Sequence, residues 1–171
     1  DKEKLLNIEN FDKKIKTQFS SQKNLEKYLP SSQIIINGVY IPGLQTPKVI
    51  NKSIQKLIKK NTLIIDVAID QGGGVENLNS TSHDEPIVKL NDFYGYAVPN
   101  MPGIVPKTAS QSLNAATHKY IELIANHGIE SCLINNKEIY NAVNTYKGKL
   151  TSKRVSESLN LNYNSLDKII S

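Results

Sequence analysis

An apolar run with a β-branched bias, TLIIDVAI at residues 62–69, most constrains the fold of this 171-residue chain. Such a run is typical of a strand that is covered on both faces of a parallel sheet. A second run, QIIINGVYIPG, precedes it, and the intervening SIQKLIKK carries a helical pattern. Short strands that alternate with helices are the signature of βαβ units. The sequence therefore predicts an α/β fold with a parallel sheet.

A carboxylate and three glycines follow the run, in the stretch DVAIDQGGG. We expect the strand to continue to Ile69, which puts Asp70 at its carboxyl end. Ligands of open α/β sheets lie outside the carboxyl ends of the strands, and Gly72–Gly74 would let a ligand approach the backbone closely. The alternative is a strand followed by a glycine-rich turn without a chemical role. The glycines lack the G-x-G-x-x-G spacing, so a phosphate cradle is not expected.

Further strands and turns are predicted on both sides of this run. KTQFSS at residues 16–21 is a candidate for a short strand. The stretch EPIVKLNDFYGYAVPN alternates around an Asn-Asp turn and indicates a hairpin or two short strands.

Helical patterns occupy the rest of the chain. Residues 1–15 carry apolar side chains at helical spacing, and SSQKNLEKYL has a serine N-cap and ends before Pro30. A long helix is predicted from Lys107 to Asn126, with one apolar face that His127 continues. The tail from Gly128 contains two short helical pieces, NNKEIYNAV and SKRVSESL, joined by a KGKL turn.

Composition argues against several classes of function. The chain is 39% hydrophobic and 22% charged, as in ordinary globular proteins. No apolar run approaches the roughly 20 residues that span a bilayer, and no signal-peptide pattern opens the chain, so we expect a cytoplasmic protein without a membrane partner. The net charge is +5, but the lysines are scattered, and nucleic acid is not an expected partner. Cys132 is alone, and no Cys/His cluster has zinc spacing.

Several motifs carry a family resemblance along nearly the whole chain, in the order FSS (19–21), IIINGVYIPG (34–43), TPK (46–48), DVAIDQGG (66–73), STSHDEP (80–86) and YAVPNMPGIVPKT (96–108). In this order they resemble the carboxyl-terminal half of alanine dehydrogenases. The pairing of DVAIDQGG with VPNMPG is the most specific part of the resemblance. The related alpha subunit of proton-translocating transhydrogenase shares the PG turn and the GG loop but has other residues around the acid, and it is the second choice.

The resemblance implies a fold, a reaction and partners. Alanine dehydrogenases bind NAD between a substrate domain and a Rossmann domain, interconvert L-alanine with pyruvate and ammonia, and commonly assemble as homo-oligomers. Residues 1–103 would be a partial Rossmann domain, without the first βαβ unit that carries the glycine fingerprint. Residues 104–171 would be a long helix and a helical tail that return to a substrate domain absent from this chain. We expect the chain to need an amino-terminal half as its partner and to be inactive alone.

The resemblance also assigns roles to residues. Asp70 would be the catalytic carboxylate, and Asp1 is not assigned the role of the acid that binds the adenosine ribose. His127 matches a position that binds a divalent metal in some members together with an acid of the other domain; the alternative is a packed histidine. The implied cofactor-binding residues, running from the adenosine side to the nicotinamide, are Ser20, Val39, Tyr40, Val67, Ala68, Ile69, Asp70, Val98, Pro99, Asn100 and Met101.

Three positions depart from the family pattern. Asn79 stands in place of an arginine that contacts the cofactor, Pro99 in place of an alanine, and Ala115 in place of an asparagine. Three interpretations therefore stay open. The chain is the carboxyl-terminal part of a working alanine dehydrogenase, a non-catalytic remnant or nucleotide-binding module, or a fragment of a transhydrogenase alpha subunit.

Overall fold

The computed structural model describes residues 2–170 and divides into two compact units. The first unit comprises the residues up to Val39 together with Pro47–Pro99. The second comprises Tyr40–Thr46 and the residues from Asn100 onwards. The prediction of an α/β fold with a parallel sheet is confirmed, as the strands of the first unit show.

A four-stranded sheet forms the centre of the first unit. Its strands are β1 (Ile34–Asn37), β2 (Leu63–Asp66), β3 (Ile87–Leu90) and β4 (Phe93–Tyr96), in the spatial order β1-β2-β4-β3. The strands β1, β2 and β4 are parallel, and β3 is an antiparallel edge strand. The hairpin predicted around the Asn-Asp turn is confirmed, with Leu90 opposite Phe93. Asn91 takes the left-handed conformation in that turn, with φ of 51°, which asparagine tolerates better than most residues.

The core of this unit lies against one face of the sheet. Ile64 and Ile54 are fully buried there, and they belong to a cluster that also includes Ile35, Ile50, Ile58, Val75, Leu78, Phe93 and Ala97. The expectation that the run at residues 62–69 is covered on both faces is met only in part, because Leu63 and Ile65 on the second face of β2 are half-buried. The second face of β1 is open. Ile34 and Ile36 remain 60% and 66% exposed, because side chains alternate along a strand and only one of its faces meets the core.

Helices of the first unit are shorter than the sequence pattern predicts. The first, α1, is Lys2–Phe11, so it ends four residues before Ile15, and Asp1 lies outside the described residues. The second, α2 (Gln22–Tyr28), has the predicted serine N-cap. It is Ser21, whose side chain accepts a hydrogen bond from the Asn24 backbone N–H. The third, α3 (Lys52–Gln55), is a single turn capped by Asn51. The rest of SIQKLIKK follows i to i+3 bonds, such as Leu57 N–H to the Ile54 carbonyl, which tighten the chain into turns.

The prediction of a short strand at residues 16–21 is wrong. These residues form an irregular segment, and Phe19 is 58% exposed. The Asn24 side chain donates to the Phe19 carbonyl at 2.8 Å. A side chain thus satisfies a backbone acceptor that a strand would offer to a sheet neighbour.

The second unit is mainly helical. Its longest helix, α4, spans Pro106–His127 and confirms the predicted long helix; it ends at Gly128, which has φ of 76°. The elements that follow are α5 (Ile129–Asn135), α6 (Lys137–Ala142), β5 (Thr145–Tyr146), β6 (Lys149–Leu150), α7 (Lys153–Leu159) and α8 (Asp167–Ile170). The two helical pieces and the turn between them are as predicted, whereas α5 and α8 were not predicted.

A small core holds this second unit together. It consists of Cys132, Leu133, Ile139 and Leu166. Tyr120 and Leu123 from the carboxyl-terminal half of α4 pack against it, whereas Leu113 in the other half is 65% exposed. Over residues 2–170, no helix is both long and apolar enough to cross a membrane.

Candidate functional site

The carboxylate that ends β2 is Asp66, not Asp70. The strand was expected to run to Ile69, but it stops three residues earlier. Asp70 lies instead in a short 3-10 turn, Ile69–Gln71, and is exposed. The strand ends there because the backbone N–H of Ala68 donates to the Asp66 side chain at 3.2 Å. This local hydrogen bond competes with continued pairing in the sheet.

Asp66 is fully buried and accepts hydrogen bonds on both carboxylate oxygens. Besides Ala68, its Oδ1 accepts from Asn37 Nδ2 at 2.7 Å. Its Oδ2 accepts from the backbone N–H of Gly74 at 2.8 Å and of Val75 at 3.1 Å. A buried charge is tolerated only when such partners replace its lost water. The cluster of Asp66, Asn37 and these backbone groups therefore joins the ends of two adjacent strands to the glycine turn.

The glycines pack against this cluster rather than offering space to a ligand. A Cβ atom on Gly74 would lie 2.2 Å from Asn37 Nδ2, and one on Gly73 would lie 2.8 Å from Asp66 Oδ2. Gly72 and Gly73 also have φ of 90° and 69°, where L side chains are rare. We expected these glycines to leave room for a ligand. Protein side chains already fill the space beside Gly73 and Gly74, so close packing explains the glycines at these two positions.

Lys48 holds the same turn from a second direction. It comes from the TPK motif, in the segment that runs beside the turn, where Ile50 bridges Val75. Its ammonium group donates to the carbonyl oxygens of Gly72 and Gly73, the second at 3.0 Å. The glycine turn is thus held through its N–H groups by Asp66 and through its carbonyl groups by Lys48.

Several of the predicted cofactor residues of the first unit lie at one edge of the sheet. The parallel strands β1, β2 and β4 all end there, and Asn37 and Asp66 are in register. The predicted residues that lie within four positions of these strand ends are Val39 after β1, Val67, Ala68, Ile69 and Asp70 after β2, and Val98 and Pro99 after β4. Val67 is 50% exposed, whereas Ala68 and Val98 are buried. This is the edge at which α/β sheets bind ligands.

The other predicted residues do not belong to this edge of the first unit. Ser20 is exposed in the segment that precedes α2. Tyr40, Asn100, Met101 and His127 belong to the second unit. Asn100 has φ of 50° and precedes the 3-10 turn Met101–Ile104.

His127 does not belong to a cluster of metal-binding side chains within the described residues. Over residues 2–170, no group of three or more histidine, cysteine, aspartate or glutamate side chains could hold a metal ion. His127 is the exposed last residue of α4. Residues 2–170 therefore do not form a three-ligand metal site by themselves.

Sequence reasoning missed Asp66, Asn37 and Lys48. A signal for the first two was present, because each is a polar residue within or at the end of an apolar run. Two adjacent parallel strands bring their last residues together, so a polar pair at both ends favours a direct contact. Lys48 could not be found in this way, because its contacts depend on the path of an irregular segment.

Comparison with known proteins gives consistent matches along the chain. Residues 1–153 match the family model described as alanine dehydrogenase/PNT, C-terminal domain. Alanine dehydrogenase 2 of Staphylococcus aureus (strain USA300) is 37% identical over 161 residues, which is 94% of this chain and 43% of the relative. The same figures hold for the protein of that name in strain NCTC 8325.

Two solved structures are similar in fold. A structure of L-alanine dehydrogenase has a TM-score of 0.76 and 31% identity, and the match covers 94% of this chain and 44% of that one. The transhydrogenase from Sinorhizobium meliloti has a TM-score of 0.51 and 18% identity, over 63% of this chain and 32% of that one. The second match supports the fold alone. The chain spans less than half the length of each of these relatives.

Proposed function

Since this chain belongs to the alanine dehydrogenase/PNT C-terminal domain family, we propose that it is the carboxyl-terminal part of an NAD-dependent alanine dehydrogenase. The reaction is the reversible oxidative deamination of L-alanine to pyruvate and ammonia. The observation that carries the proposal is the 37% identity to alanine dehydrogenase 2 over 94% of the chain. That extent includes the sheet edge and the glycine turn.

The sheet edge suits the nicotinamide and its ribose better than the pyrophosphate of a dinucleotide. Backbone and small apolar groups follow the three parallel strand ends, and the half-exposed Val67 and the exposed Pro99 leave part of this edge open. These residues fit the ribose and nicotinamide of NAD. The pyrophosphate is a poorer fit, because the space beside Gly73 and Gly74 is filled by Asp66 and Asn37. When bound, NAD would supply the acceptor for the hydride that leaves the amine-bearing carbon of alanine.

Asp70 is the residue of this chain that we propose for substrate chemistry. It lies on an exposed turn directly after the end of β2, at the edge where α/β sheets bind ligands. A carboxylate there would hold the substrate ammonium group and accept a proton from it. The further proposed nicotinamide contacts of the second unit are Asn100 and Met101, and those on the adenosine side are Ser20, Val39 and Tyr40.

The partner that we propose is the amino-terminal half of the same enzyme, with its substrate domain, because the chain spans 43% of its Staphylococcus aureus relative. In this proposal that domain supplies the groups that bind the substrate carboxylate. A metal ion at His127 would also take an acidic ligand from that domain. The assembled enzyme is proposed to be a homo-oligomer and cytoplasmic.

Reconstitution tests the proposal. The chain is co-expressed with the part of Staphylococcus aureus alanine dehydrogenase 2 that it does not match, and NADH oxidation is followed with pyruvate and ammonium. We expect oxidation that needs both substrates and both protein parts. Each part alone serves as the control. If NADH is not oxidised even when both parts are present, the result would support the alternative of a non-catalytic remnant or nucleotide-binding module.

A further inference from the structure

We propose that Asp66 is a positioning residue for the dehydrogenase reaction, which it serves by holding the loop that carries Asp70. The inference rests on the proposed function, in which Asp70 contacts the substrate. Asp66 itself is fully buried, so it acts on the reaction through the backbone of residues 67–75.

The hydrogen bonds of Asp66 close this loop at both ends. At the start of the loop, Oδ1 accepts from the Ala68 N–H at 3.2 Å. Where the chain returns, Oδ2 accepts from the N–H groups of Gly74 and Val75 at 2.8 and 3.1 Å. Asp70 lies between these two attachment points. A single side chain therefore sets where the turn with Asp70 leaves the sheet and where it comes back.

Asn37 fixes the orientation of the Asp66 carboxylate that holds the loop. Its Nδ2 donates to Asp66 Oδ1 at 2.7 Å, and the two residues are direct neighbours in the register of β1 and β2. The position of the Asp66 side chain is thus tied to the sheet and not only to the loop. Gly73 and Gly74 contribute by allowing the close approach, since a Cβ on either would meet Asp66 or Asn37.

The cluster requires a carboxylate and not merely a polar group. The four groups that point at Asp66 are all N–H donors. A carboxylate accepts on both oxygens, whereas an amide at the same position has one acceptor and turns an NH₂ group towards a donor. Asp66→Asn keeps the size of the side chain and removes this match. A charge swap, Asn37→Asp with Asp66→Asn, restores an acceptor opposite the new amide.

Amide hydrogen exchange of the chain, measured by NMR, gives the first readout. In Asp66→Asn we expect exchange at least tenfold faster at Gly74 and Val75. The amide of Tyr94, which donates to the Thr62 carbonyl at 2.9 Å, should keep its protection and thereby show that the sheet remains folded. The double variant should regain protection at Gly74 and Val75. Unchanged exchange at these two amides in Asp66→Asn overturns the proposal.

Kinetics of the reconstituted enzyme give the second readout. A displacement of the catalytic group by about 1 Å can cost on the order of 100-fold in rate, so we expect Asp66→Asn to lower kcat about 10- to 100-fold. The KM for pyruvate should stay within about threefold, because Asp66 contacts no substrate. The double variant should regain at least about fivefold in kcat. The matched control is Asp92→Asn, on the exposed turn between β3 and β4. We expect this change to leave kcat unchanged.

The outcomes separate this inference from the proposed function. A merely structural role predicts fewer folded molecules with normal kcat per folded molecule, and that result overturns the proposal. If the reconstituted wild-type enzyme is inactive, the proposed function fails, and with it the assignment of Asp66 to the reaction. The exchange data then still report whether Asp66 holds the loop, so the two failures are distinguishable.

Discussion

Gly74→Ala is predicted to destabilise the protein far more than a glycine-to-alanine change normally does. The added Cβ would lie 2.2, 2.8 and 2.9 Å from Asn37 Nδ2, Cγ and Oδ1, whereas ordinary contacts begin at 3.4 Å. Asn37 is buried, with 4% of its surface exposed, and is bonded to Asp66, so its side chain has to move by about 1 Å or more. The movement breaks the hydrogen bond to a buried carboxylate.

The magnitude follows from these two effects. Overpacking of a buried site typically costs about 1–3 kcal/mol, and loss of a hydrogen bond to a charged group costs about 1.5–3 kcal/mol. The reduced entropy of the unfolded chain offsets about 0.4–1 kcal/mol. The free energy of unfolding should therefore fall by about 2–5 kcal/mol, and the Tm by about 4–20 °C for a chain of this size.

Thermal and urea unfolding of two variants measure this effect against a matched control. Gly38 follows Asn37 directly, and a Cβ there meets nothing within 4 Å. Gly38→Ala should change the free energy of unfolding by no more than about 0.5 kcal/mol. Combining Gly74→Ala with Asn37→Ala should cost at least about 1 kcal/mol less than the sum of the single changes. Equal stabilities of Gly74→Ala and Gly38→Ala would refute the packing of Asn37 between Gly74 and Asp66.

Three further predictions concern the cofactor, Asp70 and a tyrosine of the second unit. The chain alone should bind NADH only with a millimolar Kd or weaker, about −4 kcal/mol, because it lacks a glycine fingerprint; micromolar binding by calorimetry would contradict this. In the reconstituted enzyme, Asp70→Asn should lower kcat about 10²- to 10⁴-fold and leave the Tm nearly unchanged, since Asp70 is exposed; an unchanged kcat would make Asp70 a simple turn residue. The hydroxyl of Tyr140 donates to Asp167 Oδ1 at 2.7 Å, and this bond raises the pKa of Tyr140 above its usual 10.0; Asp167→Asn should lower that pKa towards 10.0 in an NMR titration, and no change would exclude the bond in solution.

The regular elements of this fold could be predicted because each is a local pattern. The apolar runs that contain Ile35 and Ile64 predicted two strands of a parallel sheet, and the serines of SSQKNLEKYL predicted the N-cap of α2. The long helix was visible from the spacing of its apolar residues. These patterns are properties of neighbouring residues, and sequence displays them directly.

The end of β2 could not be predicted in the same way. Val67, Ala68 and Ile69 continue the apolar pattern beyond Asp66, so the polar residue within the run does not by itself mark the end of the strand. The Ala68 N–H bond that ends the strand goes to a buried carboxylate, and that carboxylate is held by further N–H groups up to nine positions later. Tertiary contacts of this kind override local propensity. For the same reason the sequence marked Asp70 as the acid at the strand end, whereas the buried Asp66 was taken as part of the strand.

Isotope transfer tests the central claim of this account most directly. The reconstituted protein is supplied with pyruvate, ammonium and NADH that carries deuterium at the transferable position of the nicotinamide, and the products are examined by mass spectrometry. An alanine dehydrogenase forms one new C–H bond at the α-carbon of alanine from that position, so we predict alanine with one deuterium and an equal amount of NAD. NAD formation without labelled alanine, or no consumption of NADH at all, would contradict the account.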